Sequence, residues 1–357
     1  MDPYDYYRWL IDYYGVADYI ADEIGEESVE EYIEWLLREG LKIHELEFEK
    51  IGIDQSSLDK HIKRSGQKYL QEYWNKRDVF GWNKIAQEVS GVLSKEQQQQ
   101  LSAKIFADEF PMEEINAHAV KVPEGNGYVF LLNSGLSLFI QLTTEILISQ
   151  LRNIKVNNEG IIAEYKVKEE TSKYFRDLIR NYINFEMFVP PRGEVIVNRG
   201  FLRSNMVCFL IEAICWFVLA HEFGHAILGH LNNEETFLIS VAKTKKELSV
   251  ISKNWKEEFA ADLVAGNLFL KNLPKPVDRF TQLEVSTKIA APFLFFELIR
   301  LIEKVKGVKY ISHPPTKQRS EALEVAFRQF FTPSTFFLVR SFSGIFQSFE
   351  QFWEEMR

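Results

Sequence analysis

Residues 206–220 read Met-Val-Cys-Phe-Leu-Ile-Glu-Ala-Ile-Cys-Trp-Phe-Val-Leu-Ala, apolar on nearly every face when wound at helical periodicity. That pattern predicts a helix enclosed in a domain core. Elsewhere the apolar positions are sparser. Val29, Tyr32, Ile33, Leu36 and Leu37 keep helical spacing after a capping box at Ser28-Val-Glu-Glu31, and Gly40 is a natural stop. A further helix is expected around 59–76. Ser94 is a ready N-cap for another, whose surface would carry the glutamine run 97–100.

The pattern changes near Ile115. His118-Ala-Val-Lys-Val122, then Gly125-Asn-Gly127, then Tyr128-Val-Phe-Leu-Leu132 predict a β-hairpin closed by a glycine-rich turn. Residues 161–167 and 194–197 are candidate strands. Helices are expected over most of the rest, and the aromatic stretch 330–353 reads as packed core. No internal repeat is evident. The fold class expected is α+β and helix-rich, with a small β-sheet. A helical, acidic N-terminal region (1–104) would precede a catalytic domain (105–357).

The long apolar helix leads directly into His221-Glu222-Phe223-Gly224-His225. Residues four apart share a helix face, so the two histidines can bind one zinc ion, with Glu222 placed as general base. A zinc ion with three protein ligands keeps an open position and activates water there. Gly224 is unfavourable inside a helix by roughly 1 kcal/mol against alanine, which points to close packing at that position. The third ligand is not a histidine in the HExxHxxGxxH pattern, because Leu228 and Leu231 stand at its last two fixed positions. Glu258 is the candidate, with Asp262 one turn on to hold a ligand histidine in the correct tautomer. Glu257 competes, but has no carboxylate four residues later.

These motifs resemble those of the gluzincin peptidases of the HtpX and CAAX-prenyl-protease type. His221-Glu-Phe-Gly-His225 with His230, Glu258-Phe-Ala-Ala-Asp262 and His313-Pro-Pro-Thr-Lys-Gln-Arg319 stand in their order. Asn116-Ala117-His118-Ala119, with Gly135-Leu136, is similar to the cleft strand and following step of the soluble minigluzincins. The layout also resembles phage-exclusion peptidases of the Lit type. The resemblance spans about 106–325. It departs in the roughly eighty residues between Gly135-Leu136 and His221, and in lacking an evident membrane segment. It implies that His221, His225 and Glu258 bind zinc, that Glu222 is the base, and that Asp262 orients a ligand. His313 and Arg319 would lie near the cleft and stabilise an oxyanion or clamp substrate. Residues 116–119 would accept an extended substrate by strand addition. His230 is expected to be structural and outside the site.

Composition narrows the class. With 46% apolar and 26% charged residues the chain reads as globular. A net charge of −9 argues against duplex nucleic acid as the main partner. No basic, apolar leader opens the sequence, and the run 206–220 is too short for a confident membrane span. Cys208 and Cys215 would sit about 10 Å apart along one helix, too far to bridge, so buried thiols in the cytoplasm are expected. Residues 1–50 hold 15 Asp and Glu against 4 Lys and Arg, a net −11, and half of the 14 tyrosines. That surface suits a cationic or peptide-like trigger, or is an ordinary solvated helical face. The function expected is a zinc endopeptidase of intracellular protein substrates, a latent antiviral defence effector in one form. The alternative is a non-catalytic regulator with a structural or relic zinc site.

Overall fold

Helices dominate the computed structural model, which describes residues 2–13, 81–101, 104–110, 115–122, 127–157, 160–185, 201–230, 234–241, 244–251, 255–306 and 314–355. Helices α1 (Pro3–Tyr13), α2 (Trp82–Gly91) and α3 (Lys95–Gln100) come first. Helix α2 turns Trp82, Ile85, Ala86 and Val89 inward at three- and four-residue spacing. Helix α3 begins at a closed capping box. The Ser94 hydroxyl accepts from the Gln97 amide at 3.1 Å, and the Gln97 side chain accepts from the Ser94 amide at 2.9 Å. Gln98 and Gln99 are exposed on its surface.

Strands β1 (Lys104–Phe110), β2 (Ala117–Lys121) and β3 (Gly127–Asn133) form a sheet in the order β1-β3-β2. Strands β2 and β3 are the expected antiparallel hairpin, with Ala119 opposite Phe130. Strand β1 pairs with β3 in parallel, a long-range pairing that no local pattern announces. The central strand is buried throughout 129–132, as a strand covered on both faces requires. Strand β2 lies at the edge. Helix α1 packs across β1 and β3, where the Tyr7 hydroxyl donates to the Glu109 carbonyl at 2.5 Å. Gly127 permits that approach, because a Cβ there would stand 2.6 Å from Pro3 Cγ.

Helix α4 (Ser134–Gln150), strands β4 (Leu151–Asn157) and β5 (Gly160–Tyr165), and helix α5 (Glu169–Phe185) follow. Strand β5 falls where a strand is expected. Its partner β4 is hidden by a register shift between Arg152 and Lys155, which breaks the alternation. Next comes α6 (Phe201–Ile227), then a hairpin of β6 (Glu234–Val241) and β7 (Thr244–Ile251). This hairpin corrects the expectation of helix there. Thr236, Phe237, Ile239 and Val241 are strand-favouring residues, and their preference prevails. Helices α7 (Trp255–Asn272), α8 (Arg279–Lys306) and α9 (Thr316–Phe327), a turn of 3₁₀-helix (Arg328–Phe330) and α10 (Pro333–Glu355) complete the order.

Helix α6 is the spine of the core. Helices α2, α4, α7 and α8 surround it, and every residue from 213 to 220 is buried. Trp216 meets Phe269 edge-on at 5.8 Å, and Phe217 meets Phe296 at the same distance. Each such side chain fully buried contributes roughly 1.5–3 kcal/mol. Arg203–Ile227 is long and apolar enough to cross a membrane, but 78% of its most apolar window is buried inside the protein, so packing accounts for its apolarity. Cys215 is buried on this helix, and burial pushes its thiol pKa well up. Cys208 is exposed, contrary to the expectation for both thiols.

The aromatic C-terminal stretch is largely core, as expected. Phe342, Phe346 and Phe349 of α10 are buried, with Phe349 5.0 Å from Phe175 of α5, while Phe330 and Phe336 are exposed. The expected helices at 28–40 and 59–76, the strand at 194–197 and the turn 123–126 lie outside the described residues.

Candidate active site

The site forms where α6 and α7 touch most closely. A Cβ at Gly224 would stand 2.9 Å from the Ala261 carbonyl oxygen and 3.0 Å from the Ala261 Cα. Only glycine admits the second helix at that distance, which explains the helix-unfavourable residue inside the HEFGH motif. Glu258 sits in the first turn of α7, where a carboxylate also complements the helix dipole. The contact at Gly224 and Ala261 carries Glu258 up to the two histidines one turn away.

His221 Nε2 and His225 Nε2 stand 3.0 Å apart. Glu258 Oε2 lies 3.5 Å from His221 Nε2, and Oε1 lies 3.4 Å from His225 Nε2. These ligand atoms all lie within 4.8 Å of one another, and all three residues are buried. Glu258 Oε1 is buried with no hydrogen-bond partner among the described residues, and a charged group left so costs about 1–3 kcal/mol or more. Two imidazole nitrogens and a buried carboxylate converging on one point form a donor set that could hold a metal ion.

A second layer of polar groups holds these three. Asp262 Oδ1 accepts from His221 Nδ1 at 2.9 Å. Arg319, in the first turn of α9, donates through Nε and Nη2 to the two Asp262 oxygens, both at 2.7 Å. Its Nη1 lies 3.2 Å from Glu258 Oε2, and its guanidinium stacks 5.1 Å from the Phe296 ring centre. Pro314 and Pro315 directly precede α9, Pro315 as its N-cap, and the Thr316 hydroxyl donates to Glu303. Three of the Arg319 nitrogens thus face carboxylates of α7.

The electrostatics follow from this packing. Burial disfavours charge on His221, yet Asp262 and Glu258 outweigh it and raise the His221 pKa to about 9 in the metal-free protein. Burial likewise opposes ionisation of Glu258 and Asp262. The histidines and Arg319 overcome it, and both carboxyls are held below their ordinary range.

Of the residues expected in the site, His221, His225, Glu258, Asp262 and Arg319 are brought together. Glu222 is buried on the same helical turn as the histidines. Glu257, the competing ligand, is only half-buried. Asn116 precedes β2, and Ala117, His118 and Ala119 lie on it, at the edge of the sheet. Ala119 pairs with Phe130, whose ring meets Phe223 of the HEFGH motif at 5.7 Å, so this edge is one strand away from the helix that bears the histidines. His313 lies outside the described residues. His230, expected to stand apart, has its Nδ1 3.1 Å from His225 Nδ1. A glycine one residue before it, just past the helix end, is the signal that could have found it.

The family model for Peptidase U49 matches residues 139–335, more than half of the chain and the whole of α6 through α9. The chain belongs to the Peptidase U49 family, and so to the peptidases, which act on protein substrates. No curated protein and no solved structure matches it.

Proposed function

We propose that the chain is a zinc-dependent endopeptidase of the gluzincin type, with His221, His225 and Glu258 as ligands. The observation that carries this reading is the convergence of two imidazole nitrogens and a buried carboxylate oxygen, unpartnered among the described residues, beside a buried Glu222. A zinc ion held there supplies Lewis acidity and an activated water at neutral pH. Glu222 takes the proton of the attacking water as general base and passes it to the leaving amine as the peptide C–N bond breaks. Strand β2, terminal in its sheet with β7 packed nearby, is the strand to which an extended substrate would add by backbone hydrogen bonds. Membership of a peptidase family and the motif order support the catalytic reading over a structural zinc site, because a structural site has no use for Glu222.

Within that class the chain is read as a latent defence effector of the Lit type, cleaving a host protein in the cytoplasm after infection. The acidic, tyrosine-rich first fifty residues are the part of the chain suited to receive a cationic trigger. The test compares new protein N-termini in cells expressing wild type or Glu222→Gln, with and without phage challenge. A few sites found only with wild type and only on challenge are expected. Sites present without challenge would remove the latent reading, and no difference at all would leave a binding protein.

A further inference from the structure

Helix α6 ends in a way that reaches back into its own metal-ligand turn. Gly229 has φ +71°, the left-handed conformation that a residue with a Cβ adopts only at a cost. Space is not the reason for glycine, since nothing among the described residues lies within 4 Å of where its Cβ would be. The conformation is. It lets the His230 amide donate to the His225 carbonyl at 2.9 Å and the Gly229 amide donate to the Ala226 carbonyl at 3.2 Å. Those two bonds are the Schellman closure of a helix. The reversal folds residue 230 over residue 225, and the two rings lie 5.3 Å apart at 62°.

The consequence falls on a tautomer. A histidine that coordinates through Nε2 must carry its proton on Nδ1, and that N–H needs an acceptor. For His221 the acceptor is the Asp262 carboxylate. His225 is fully buried, away from bulk water, and the Nδ1 of His230 stands at hydrogen-bond distance from its Nδ1, 3.1 Å away. We infer that His230 is a positioning residue of the metal site. With its own proton on Nε2, it accepts the Nδ1–H of His225 and leaves the His225 Nε2 lone pair facing Glu258 and His221. The two ligand histidines are thus oriented by chemically different partners, a carboxylate for one and a neutral imidazole for the other. This inference rests on the metallopeptidase reading of the same site.

The test measures zinc affinity of the full-length metal-free protein by chelator competition, for wild type, His230→Phe and His230→Gln. Phenylalanine keeps a ring and loses the acceptor, whereas glutamine can accept through its amide oxygen. Loss of a partner to a ligand histidine typically weakens metal binding about 10–100-fold. His230→Phe is expected in that range with the metal-free unfolding midpoint unchanged, and with an altered visible spectrum of the cobalt-loaded protein. His230→Gln is expected to recover most of the affinity. Wild-type affinity in His230→Phe overturns the inference while leaving the metallopeptidase reading intact. So does an equal loss in both variants accompanied by a lowered metal-free midpoint, which would mark a role in folding alone. A wild-type protein that takes up no zinc overturns both.

Discussion

Gly224 of α6 and Ala261 of α7 meet backbone to side, with 2.9 Å between the Ala261 carbonyl oxygen and the position a Cβ at 224 would take. The contact sets how far Glu258 stands from the histidines. Gly224→Ala gains about 1 kcal/mol of helix propensity, but overpacking against backbone typically costs about 1–3 kcal/mol. The neighbour cannot swing aside as a side chain would, so the cost should prevail. The variant is expected to unfold at lower temperature and to bind zinc more weakly, read by calorimetry and chelator competition. A more stable variant with full zinc affinity would show that the helices are free to part.

Arg319 lies between the carboxylates of Asp262 and Glu258. Arg319→Met should leave two buried acidic groups without their cation, a change that costs about 3–5 kcal/mol. Arg319→Lys keeps the charge and loses the paired geometry, so an intermediate loss is expected. Added zinc should restore part of the stability of both, because the ion compensates Glu258. A substrate clamp would behave differently, with KM raised and the unfolding midpoint unmoved.

Glu222→Gln changes one oxygen to nitrogen in a side chain that the proposed ligand set does not use. Zinc content should stay at one ion per chain, while peptide hydrolysis falls about 10²–10⁴-fold. His221→Ala, in contrast, should lose both zinc and hydrolysis. Wild-type hydrolysis by Glu222→Gln, measured on a substrate found in cells, would end the proposed general-base role.

Metal uptake should depend on pH in a defined direction. In the metal-free protein the His221 pKa is raised to about 9, above its unfolded value of about 6.5. The proton on His221 therefore stabilises the metal-free fold below about 6.5, and that contribution is lost as pH rises through about 9. A metal ion must displace the same proton. Apparent zinc affinity should rise about tenfold per pH unit up to about 9, with a proton released on binding. Titration calorimetry in buffers of different ionisation enthalpy reads the proton directly. A flat affinity between pH 7 and 9 would contradict the raised pKa.

The parts legible in the sequence are those with local signatures. The run through Trp216 and Phe217 is apolar on all faces because helices enclose it, and HEFGH and Glu258 to Asp262 carry their spacing in a few residues. The hairpin of β2 and β3 announces itself by alternation and glycines. Other features depend on partners far along the chain. Strand β1 is specified by its parallel register with β3, and β4 loses its alternation to a bulge. Arg319 reads from its motif as a cleft residue, and its pairing with Asp262, 57 positions earlier, is visible only in the fold. His230 needed the left-handed Gly229 to be recognised as a cap, since five residues along a continuing helix would have carried its ring away from His225.

One helix supplies both the centre of the apolar core and two of the three groups proposed to hold the metal. Trp216 and Phe217 lie one turn before His221, with no joint between them. The proposed metal ligands and the core therefore share one rigidity, and the proposed site has no hinge of its own on α6 at which to relax. A substitution that loosens the packing around α6 displaces the histidines with it. Among variants of this protein, tolerance of heat and retention of chemistry should rise and fall as a single trait.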